Sequence, residues 1–316
     1  MFKSLKAEVK GARKCENIND PFDTHVVDYI AMAFSKIFVK LHIIPNIVTA
    51  MSGIVGITGG ILLCFDTLPL NILGAILVFF SAVFDASDGQ VARMTKRYSN
   101  FGRTLDGLND FLVYLSMYTA VCVRLFHVNI PFTETEWRFF SVPLALIALF
   151  LYIVQSSTAD YYKNMHIFMV TRGKGGELSR TANIKEKMCA CKKPSFEHFR
   201  LSVYRIYTCI QEDATPEAQK MLKNIEENGE DYLNEISGAF LERSKKYVKY
   251  TNFMTFNFRT AALFLLLFLP WQLEFLYFPF VIFILEPIRL AIISTYEKLA
   301  KDIINQKTFA GVGNEK

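Results

Sequence analysis

Four aspartates lie where two apolar stretches of the chain meet polar sequence, a place where carboxylates are costly. Asp85 and Asp88 stand three residues apart in FDASDGQVAR, and Asp106 and Asp110 stand four apart in GRTLDGLNDFLVY. On a helix, residues three or four apart share one face, so each pair would present its two carboxylates in the same direction. Ionisable residues within membrane segments are rare and usually mark a functional site.

The chemistry that suits four converging carboxylates is divalent-cation binding, because like charges held together repel one another. Oxygen ligands favour a hard ion, Mg²⁺ or Mn²⁺, and no His or Cys accompanies the aspartates to suggest zinc. Two such ions would stabilise the attacking and leaving oxygens of a phosphoryl displacement. A structural polar network and an ion-conducting path stay open as other interpretations.

Small residues and one arginine accompany the aspartates. Gly89, Ala92 and Gly102 would leave room for a flat or bulky group near the metal ions. Arg93 lies about one helical turn from Gly89 and supplies a fixed positive charge, which suits it to bind a phosphate or to orient a carboxylate. These four residues are therefore candidates for the surroundings of the metal site.

The composition indicates an integral membrane protein. Of the 316 residues, 52% are hydrophobic, the mean hydropathy is +0.23 and the net charge is only +5, which excludes a disordered chain. The apolar residues form long blocks, and about 20 apolar residues suffice for a helix to span the hydrocarbon core. We therefore predict an all-α, polytopic membrane protein with six transmembrane helices at residues 47–65, 70–93, 105–126, 140–162, 253–269 and 275–294.

Polar segments flank and interrupt these spans. Lys and Arg concentrate on the side that receives both termini and the aspartate ends of the spans, which the positive-inside rule assigns to the cytoplasm. An amphipathic helix over residues 22–42 is expected to lie along the membrane surface. The predicted organisation is a cytoplasmic N-terminus with this interfacial helix (1–45), four spans with the catalytic motif (46–164), a helical cytoplasmic insert (165–250), two spans (251–300) and a cytoplasmic tail (301–316).

One spaced pattern resembles the signature of the CDP-alcohol phosphatidyltransferases: Asp85-x2-Asp88-Gly89-x2-Ala92-Arg93-x8-Gly102-x3-Asp106-x3-Asp110. The resemblance covers the membrane part, about residues 45–164 and 250–300, and the six-helix topology matches that family as well. It implies an enzyme of phospholipid biosynthesis that transfers a phosphatidyl group from CDP-diacylglycerol to a polar alcohol and releases CMP. Members of this family are commonly dimers, so a homodimer is an expected assembly.

The resemblance also implies roles for single residues. Asp85, Asp88 and Asp106 would hold Mg²⁺ or Mn²⁺, with two ions expected. Asp110 would act as the general base that takes the proton of the incoming hydroxyl, while also touching a metal ion. The CDP moiety would be bound by residues of the same motif and of the start of the first span: Asn46, Thr49, Gly89, Ala92, Arg93 and Gly102.

Three cations on the later helices bear on the acceptor alcohol. Lys163, Arg259 and Arg289 would suit an acceptor that already carries a phosphate, such as inositol phosphate or glycerol phosphate. Asp160 would bind acceptor hydroxyls, although the polar sequence around it departs from the pattern of family members that use glycerol phosphate. The other interpretation is structural: Lys163 extends to the interface, and Arg289 pairs with Glu286.

Two further functions stay open on the sequence alone. A phosphotransferase that passes choline or ethanolamine phosphate from a CDP-alcohol to diacylglycerol would carry the same signature. A divalent-cation transporter would use the same acids, but it would leave Gly89, Ala92 and Arg93 without a role. The basic N-terminus is expected to contact anionic lipid headgroups, and nucleic acid is not an expected partner.

Overall fold

The computed structural model describes residues 22–175, 178, 180–191, 195–269 and 273–313, so the predicted N-terminal segment 1–21 lies outside the described residues. The described residues are mostly helical, and they contain no β-strand. This confirms the all-α prediction. The helices are α1 Asp28–Lys40, α2 Pro45–Leu62, α3 Leu68–Thr95, α4 Asn100–Leu125, α5 Arg138–Val170, α6 Thr181–Ala190, α7 Phe196–Ala214, α8 Pro216–Ser244, α9 Phe256–Phe268 and α10 Glu286–Gly313.

Among the described residues, four helical stretches are long and apolar enough to cross a membrane. They are Pro45–Leu62, Leu68–Thr95, Arg138–Val170 and Leu273–Gln306; the last joins short helical turns to α10. Helix α9 is apolar but shorter. Helix α4 has 26 residues, yet its aspartates and arginines make it more polar than the four. The protein is therefore an integral membrane protein.

The described chain divides into two compact units. One unit contains α1 to α4, the first part of α5 and most of α9, and the other contains the rest of α5, the insert helices α6 to α8, and α10. In the first unit, α2 packs against both α3 and α4. Helix α2 therefore lies between the two helices that carry the aspartates.

Helices α2 and α3 approach each other closely through small residues. A Cβ atom on Gly59 would lie 2.8 Å from the carbonyl oxygen of Gly74, and a Cβ on Gly74 would lie 2.8 Å from that of Gly59. Nearby, the Ser52 hydroxyl donates to the Ser81 carbonyl at 3.0 Å, and the Ser81 hydroxyl donates back to the Ser52 carbonyl at 2.9 Å. Small residues and reciprocal hydroxyl bonds are the usual means of helix association in lipid.

Substitution of Gly59 by Ala is expected to destabilise the protein by about 1–3 kcal/mol, the usual cost of overpacking. The added methyl group meets backbone atoms of α3, which cannot move aside as a flexible side chain would. The measurement is thermal unfolding of the purified protein in detergent. The control is Gly238→Ala on α8, where a Cβ meets nothing within 4 Å and alanine favours the helix. Equal melting temperatures for both variants would refute the close contact.

The N-terminal helix α1 is fixed to α3 by hydrogen bonds near the aspartates. The Ser35 hydroxyl lies 3.2 Å from the Ser87 carbonyl, and the Ser87 hydroxyl donates to the Ala31 carbonyl at 3.1 Å. The Gln90 amide donates to the backbone carbonyl of Asp28 at 3.3 Å. Helix α1 lies within the segment 22–42, for which an amphipathic helix on the membrane surface stays a prediction.

The second unit has a hydrophobic core made by the C-terminal half of α5, helix α8 and α10. Tyr162 of α5 stacks on Tyr296 of α10, with ring centroids 4.0 Å apart, and Phe240 of α8 packs against the same ring. Gly229, at φ +76°, interrupts α8 with a non-helical residue. The insert is helical, as predicted. Its helix α8 shares a buried core with the ends of α5 and α10.

Candidate active site

The two pairs of aspartates come from α3 and α4, whose ends are joined by a short connection. Helix α3 ends at Thr95, and Lys96 adopts a left-handed conformation with φ +54° that reverses the chain. Helix α4 starts after Ser99, whose hydroxyl accepts a hydrogen bond from the Gly102 backbone N–H at 2.9 Å. This cap sets the first turn of α4 and thereby the direction in which Asp106 points.

Three of the four aspartates converge. Carboxylate oxygens of Asp85, Asp88 and Asp106 all lie within 4.8 Å of one another, and the three residues are half-buried. Asp110 lies near enough to Asp85 for the two charges to interact. The structure thus brings together acids of both helices, with three aspartates in the cluster and Asp110 near it.

The donor set fits a hard divalent cation. The Oδ1 atom of Asp85 is buried and has no hydrogen-bond partner, and it belongs to a group of carboxylates that repel one another. A buried carboxylate oxygen without a donor is costly, and a cation held by oxygen ligands would satisfy it. Asp85, Asp88 and Asp106 are therefore the residues that could hold a metal ion here.

Thr49 connects α2 to both acidic helices. Its hydroxyl donates to Oδ2 of Asp88 at 2.5 Å, and its backbone carbonyl accepts from the Asn109 side-chain amide at 2.5 Å. A Cβ on Gly53, one turn further along α2, would lie 2.5 Å from the Asn109 amide oxygen. These contacts orient one carboxylate of the cluster and hold α4 against α2.

Asn46 lies at the start of α2 beside the start of α4. Its side-chain oxygen accepts a hydrogen bond from the Ser99 hydroxyl at 3.1 Å. A Cβ atom on Gly102 would collide with that same Asn46 oxygen and lie 2.9 Å from the Ser99 hydroxyl. Glycine at this position is therefore required by the close approach of Asn46, in addition to any room it leaves for a ligand.

Arg93 lies over Gly89 on α3. A Cβ on Gly89 would lie 3.4 Å from a terminal guanidinium nitrogen of Arg93, and Ala92 is half-buried next to it in sequence. The charges of Asp28 and Asp88 lie near the guanidinium, and its Nε atom is buried without a hydrogen-bond partner. The arginine thus lies within electrostatic reach of acids on α1 and α3.

Two of the predicted acceptor residues belong to one hydrogen-bonded network in the second unit. Arg259 is fully buried; its guanidinium donates to the side-chain oxygen of Gln155 and to the Met254 carbonyl. The Gln155 amide donates to Glu286 at 2.9 Å, and Arg289 donates to both carboxylate oxygens of Glu286, at 3.0 Å from its Nε. One guanidinium nitrogen of Arg259, Nη1, is buried without a hydrogen-bond partner.

Asp160 and Lys163 also lie in the second unit, on the C-terminal part of α5. Oδ2 of Asp160 accepts a hydrogen bond from the Tyr207 hydroxyl of α7 at 2.8 Å. Burial, together with the charge of Asp160, raises the pKa of the Tyr207 hydroxyl above its usual value, so that it keeps the proton that it donates. Lys163 is half-buried.

Three residues beside the cluster are not among the sequence-predicted site residues. Asn109 holds Thr49, Ser99 holds Asn46, and Asp28 lies near Arg93. Asn109 could have been found, because an amide side chain stands next to Asp110 near the start of the span predicted at 105–126. Asp28 could not, because no pattern in the sequence connects α1 with the end of α3.

The fold and the site together define a helical membrane protein with a carboxylate cluster suited to a metal ion. Residues 42–172, which contain α2 to α5, match the family described as CDP-alcohol phosphatidyltransferase. This segment of the chain is therefore similar to that family. The insert from residue 173 onward and the later helices lie outside the match.

Two curated proteins are similar to parts of the chain. A phosphatidylinositol phosphate synthase of Corynebacterium glutamicum is 32% identical over 132 residues, which are 41% of this chain and 53% of that protein. The bifunctional IPC transferase and DIPP synthase of Aquifex aeolicus is 25% identical over 165 residues, 51% of this chain and 33% of that protein. The chain thus spans about half of one relative and a third of the other. No solved structure matches the chain.

Proposed function

We propose that the protein transfers a phosphatidyl group from CDP-diacylglycerol to a polar alcohol and releases CMP. The observation that carries the proposal is the convergence of Asp85, Asp88 and Asp106 within a segment that matches the CDP-alcohol phosphatidyltransferases. Similarity to a phosphatidylinositol phosphate synthase favours a phosphorylated polyol such as inositol phosphate as the acceptor.

The proposed reaction is a displacement at phosphorus. The acceptor hydroxyl oxygen forms a bond to the phosphorus that carries diacylglycerol, and the bond from that phosphorus to the bridging oxygen of the diphosphate breaks. The bridging oxygen keeps the electron pair and leaves on CMP, while Asp110 takes the hydroxyl proton as general base. The cluster, with Asp110 at its edge, would hold two Mg²⁺ or Mn²⁺ ions. When bound, these ions would neutralise the charge that builds up on the diphosphate.

The nucleotide is proposed to bind beside the cluster, at the ends of α2, α3 and α4. Arg93, with its unpartnered buried Nε, would bind a phosphate of CDP. Asn46 and Thr49 would border the nucleotide from α2. Gly89, Ala92 and Gly102 would let it approach the backbone of the acidic helices.

The acceptor is proposed to be bound by charged residues of the second unit. Arg259, Arg289 and Lys163 would bind its phosphate, and Asp160 its hydroxyls. The buried Nη1 of Arg259, which has no hydrogen-bond partner, favours an anionic ligand there. Arg289 forms an ion pair with Glu286, which favours a structural role for Arg289 when no acceptor is bound.

The membrane arrangement that we propose has six spans. They are the four apolar stretches together with α4, whose charged residues would line the site, and α9. Both termini, the insert and the active site would face the cytoplasm, and α1 would lie along the membrane surface. A homodimer would have to form through another surface, because the glycines of α2 are buried against α3 and α4.

The experiment that tests the proposal is CMP release by the purified full chain with CDP-diacylglycerol and Mg²⁺ or Mn²⁺. Separate reactions contain inositol phosphate, glycerol phosphate, inositol or serine, and one contains diacylglycerol with CDP-choline. We expect CMP with inositol phosphate and none without metal. Asp231→Asn, an exposed aspartate of α8, is the control variant and should be as active as the natural protein.

Each other outcome identifies a different function. CMP formed only from CDP-choline and diacylglycerol would replace the proposal by a CDP-alcohol phosphotransferase. Release with serine or inositol alone would keep the reaction and change the acceptor. No CMP under any condition, together with Mn²⁺ flux into vesicles that contain the protein, would show a cation transporter.

A further inference from the structure

Helix α7 of the insert carries a stripe of exposed apolar side chains. Phe196, Phe199, Val203 and Ile206 are 56%, 66%, 52% and 64% exposed. Their spacing of three and four residues places all four on one face of the helix. The large exposed apolar side chains of the described insert helices α6 to α8 all belong to this stripe. Water is an unfavourable surrounding for such a face.

The faces of α7 beside and opposite the stripe are occupied. Leu201 and Thr208, on the side of the helix opposite the stripe, are buried. The Tyr207 hydroxyl and the Gln211 amide bond to the C-terminal part of α5, at Asp160 Oδ2 and at the Ser157 carbonyl, with distances of 2.8 and 3.0 Å. Helix α7 is therefore fixed to α5 along the side next to its exposed apolar stripe.

These bonds set the height of α7 relative to the membrane. Helix α5 has 33 residues, about 50 Å at 1.5 Å per residue, whereas the hydrocarbon core is about 30 Å thick and needs about 20 residues. If the span begins at Arg138, about 20 residues bring it to the opposite edge of the hydrocarbon core, close to Ser157 and Asp160. Since α7 is bonded to α5 there, it lies at the height of the membrane surface.

The charge of the sequence on either side of the stripe is strongly asymmetric. Residues 171–209, which include α6 and most of α7, contain nine Lys or Arg and three Glu. Residues 210–244, which include α8, contain three Lys or Arg and nine Asp or Glu. Basic sequence next to an apolar helix face is attracted to anionic lipid, and an acidic segment is repelled from it.

We infer that α7 is an interfacial helix that inserts Phe196, Phe199, Val203 and Ile206 into the lipid leaflet at the C-terminal edge of the α5 span. The lipid surface is the occupant that fits the apolar stripe, its height on α5 and the basic charge around it. The insert is thus bound to the membrane through α7, with the acidic α8 directed toward water. This inference depends on the membrane insertion of α5 and is independent of the proposed reaction.

The test uses the full chain in vesicles of phosphatidylcholine and phosphatidylglycerol. A fluorescent non-canonical amino acid replaces Phe199 or Val203 in turn, and it is quenched either by doxyl-labelled lipid or by aqueous iodide. Phe150, exposed on the apolar part of α5, gives the lipid reference, and Asp231, exposed on α8, gives the water reference. We expect lipid quenching at Phe199 and Val203 to exceed that at Asp231 by about twofold or more, with weak iodide quenching.

Two results would overturn the inference. Iodide quenching at Phe199 and Val203 as strong as at Asp231, with no effect of doxyl lipid, would place the stripe in water. Protection from both quenchers would show that a second copy or another protein covers it. Where one probe prevents folding, as judged by gel filtration in detergent, Phe196 or Ile206 on the same stripe takes its place.

Discussion

Changing Asp85 to Asn is expected to slow CMP release strongly and at the same time to stabilise the metal-free protein. In the natural protein Asp85 Oδ1 is buried without a donor, next to Asp88 and Asp106. Asparagine removes one of the repelling charges, so the melting temperature without metal should rise. Loss of a metal-binding carboxylate should slow CMP release by about 10³-fold, which corresponds to several kcal/mol of transition-state stabilisation.

The measurements are CMP release and thermal unfolding in detergent, each with and without Mn²⁺. The natural protein should gain stability as Mn²⁺ is added, because a ligand that binds only the folded state stabilises it. The Asp85→Asn variant should show a much weaker response, and the Asp231→Asn control should behave like the natural protein. A lower melting temperature of the metal-free variant would mean that Asp85 is a structural hydrogen-bonding group.

The sequence predicts the location of the helices better than their ends. The span predicted at 140–162 lies within α5, which continues to Val170. The one predicted at 275–294 covers short helical turns and the start of α10, which continues to Gly313. Hydropathy reports which residues lie in hydrocarbon, whereas a helix ends where caps and packing end it. Beyond the membrane both helices are prolonged because they share a core with α8, a contact that hydropathy does not report.

The candidate site is predictable in its residues and only partly in its geometry. Helical periodicity predicts that Asp85 and Asp88 face one way, and their convergence with Asp106 follows from the short connection after α3. The position of α2 between the two acidic helices does not follow from periodicity. The hydrogen bond from Thr49 to Asp88 joins residues 39 positions apart, and contacts of this kind depend on how the helices pack.

The predicted acceptor residues show the limit of reasoning from residue type. The sequence predicts that Arg259 and Arg289 bind the acceptor, because both are charged residues within apolar sequence. That reasoning treats both side chains as free to bind a ligand. The structure connects them instead through Gln155 and Glu286, a network between distant parts of the chain. A charged residue in a membrane helix must be paired with something, and the sequence alone does not identify the partner.

Changing Asp110 to Asn is expected to separate proton transfer from metal binding. Asp110 is not one of the three residues whose oxygens lie within 4.8 Å of one another, so the variant should still be stabilised by Mn²⁺. The loss of a general base should slow CMP release by about 10²- to 10⁴-fold. The KM for CDP-diacylglycerol should change little, because the proposed nucleotide contacts are left in place.

The pH dependence of CMP release distinguishes this role from a purely structural one. With a general base in place, the rate falls at low pH as the base becomes protonated, and that acid limb should be absent from the residual activity of Asp110→Asn. Loss of the Mn²⁺ response in this variant, as in Asp85→Asn, would instead make Asp110 an essential metal ligand. Retention of full activity would remove Asp110 from the reaction, and the acceptor would then have to lose its proton to another group. The two variants together therefore assign one aspartate to the metal site and the other to the hydroxyl that attacks.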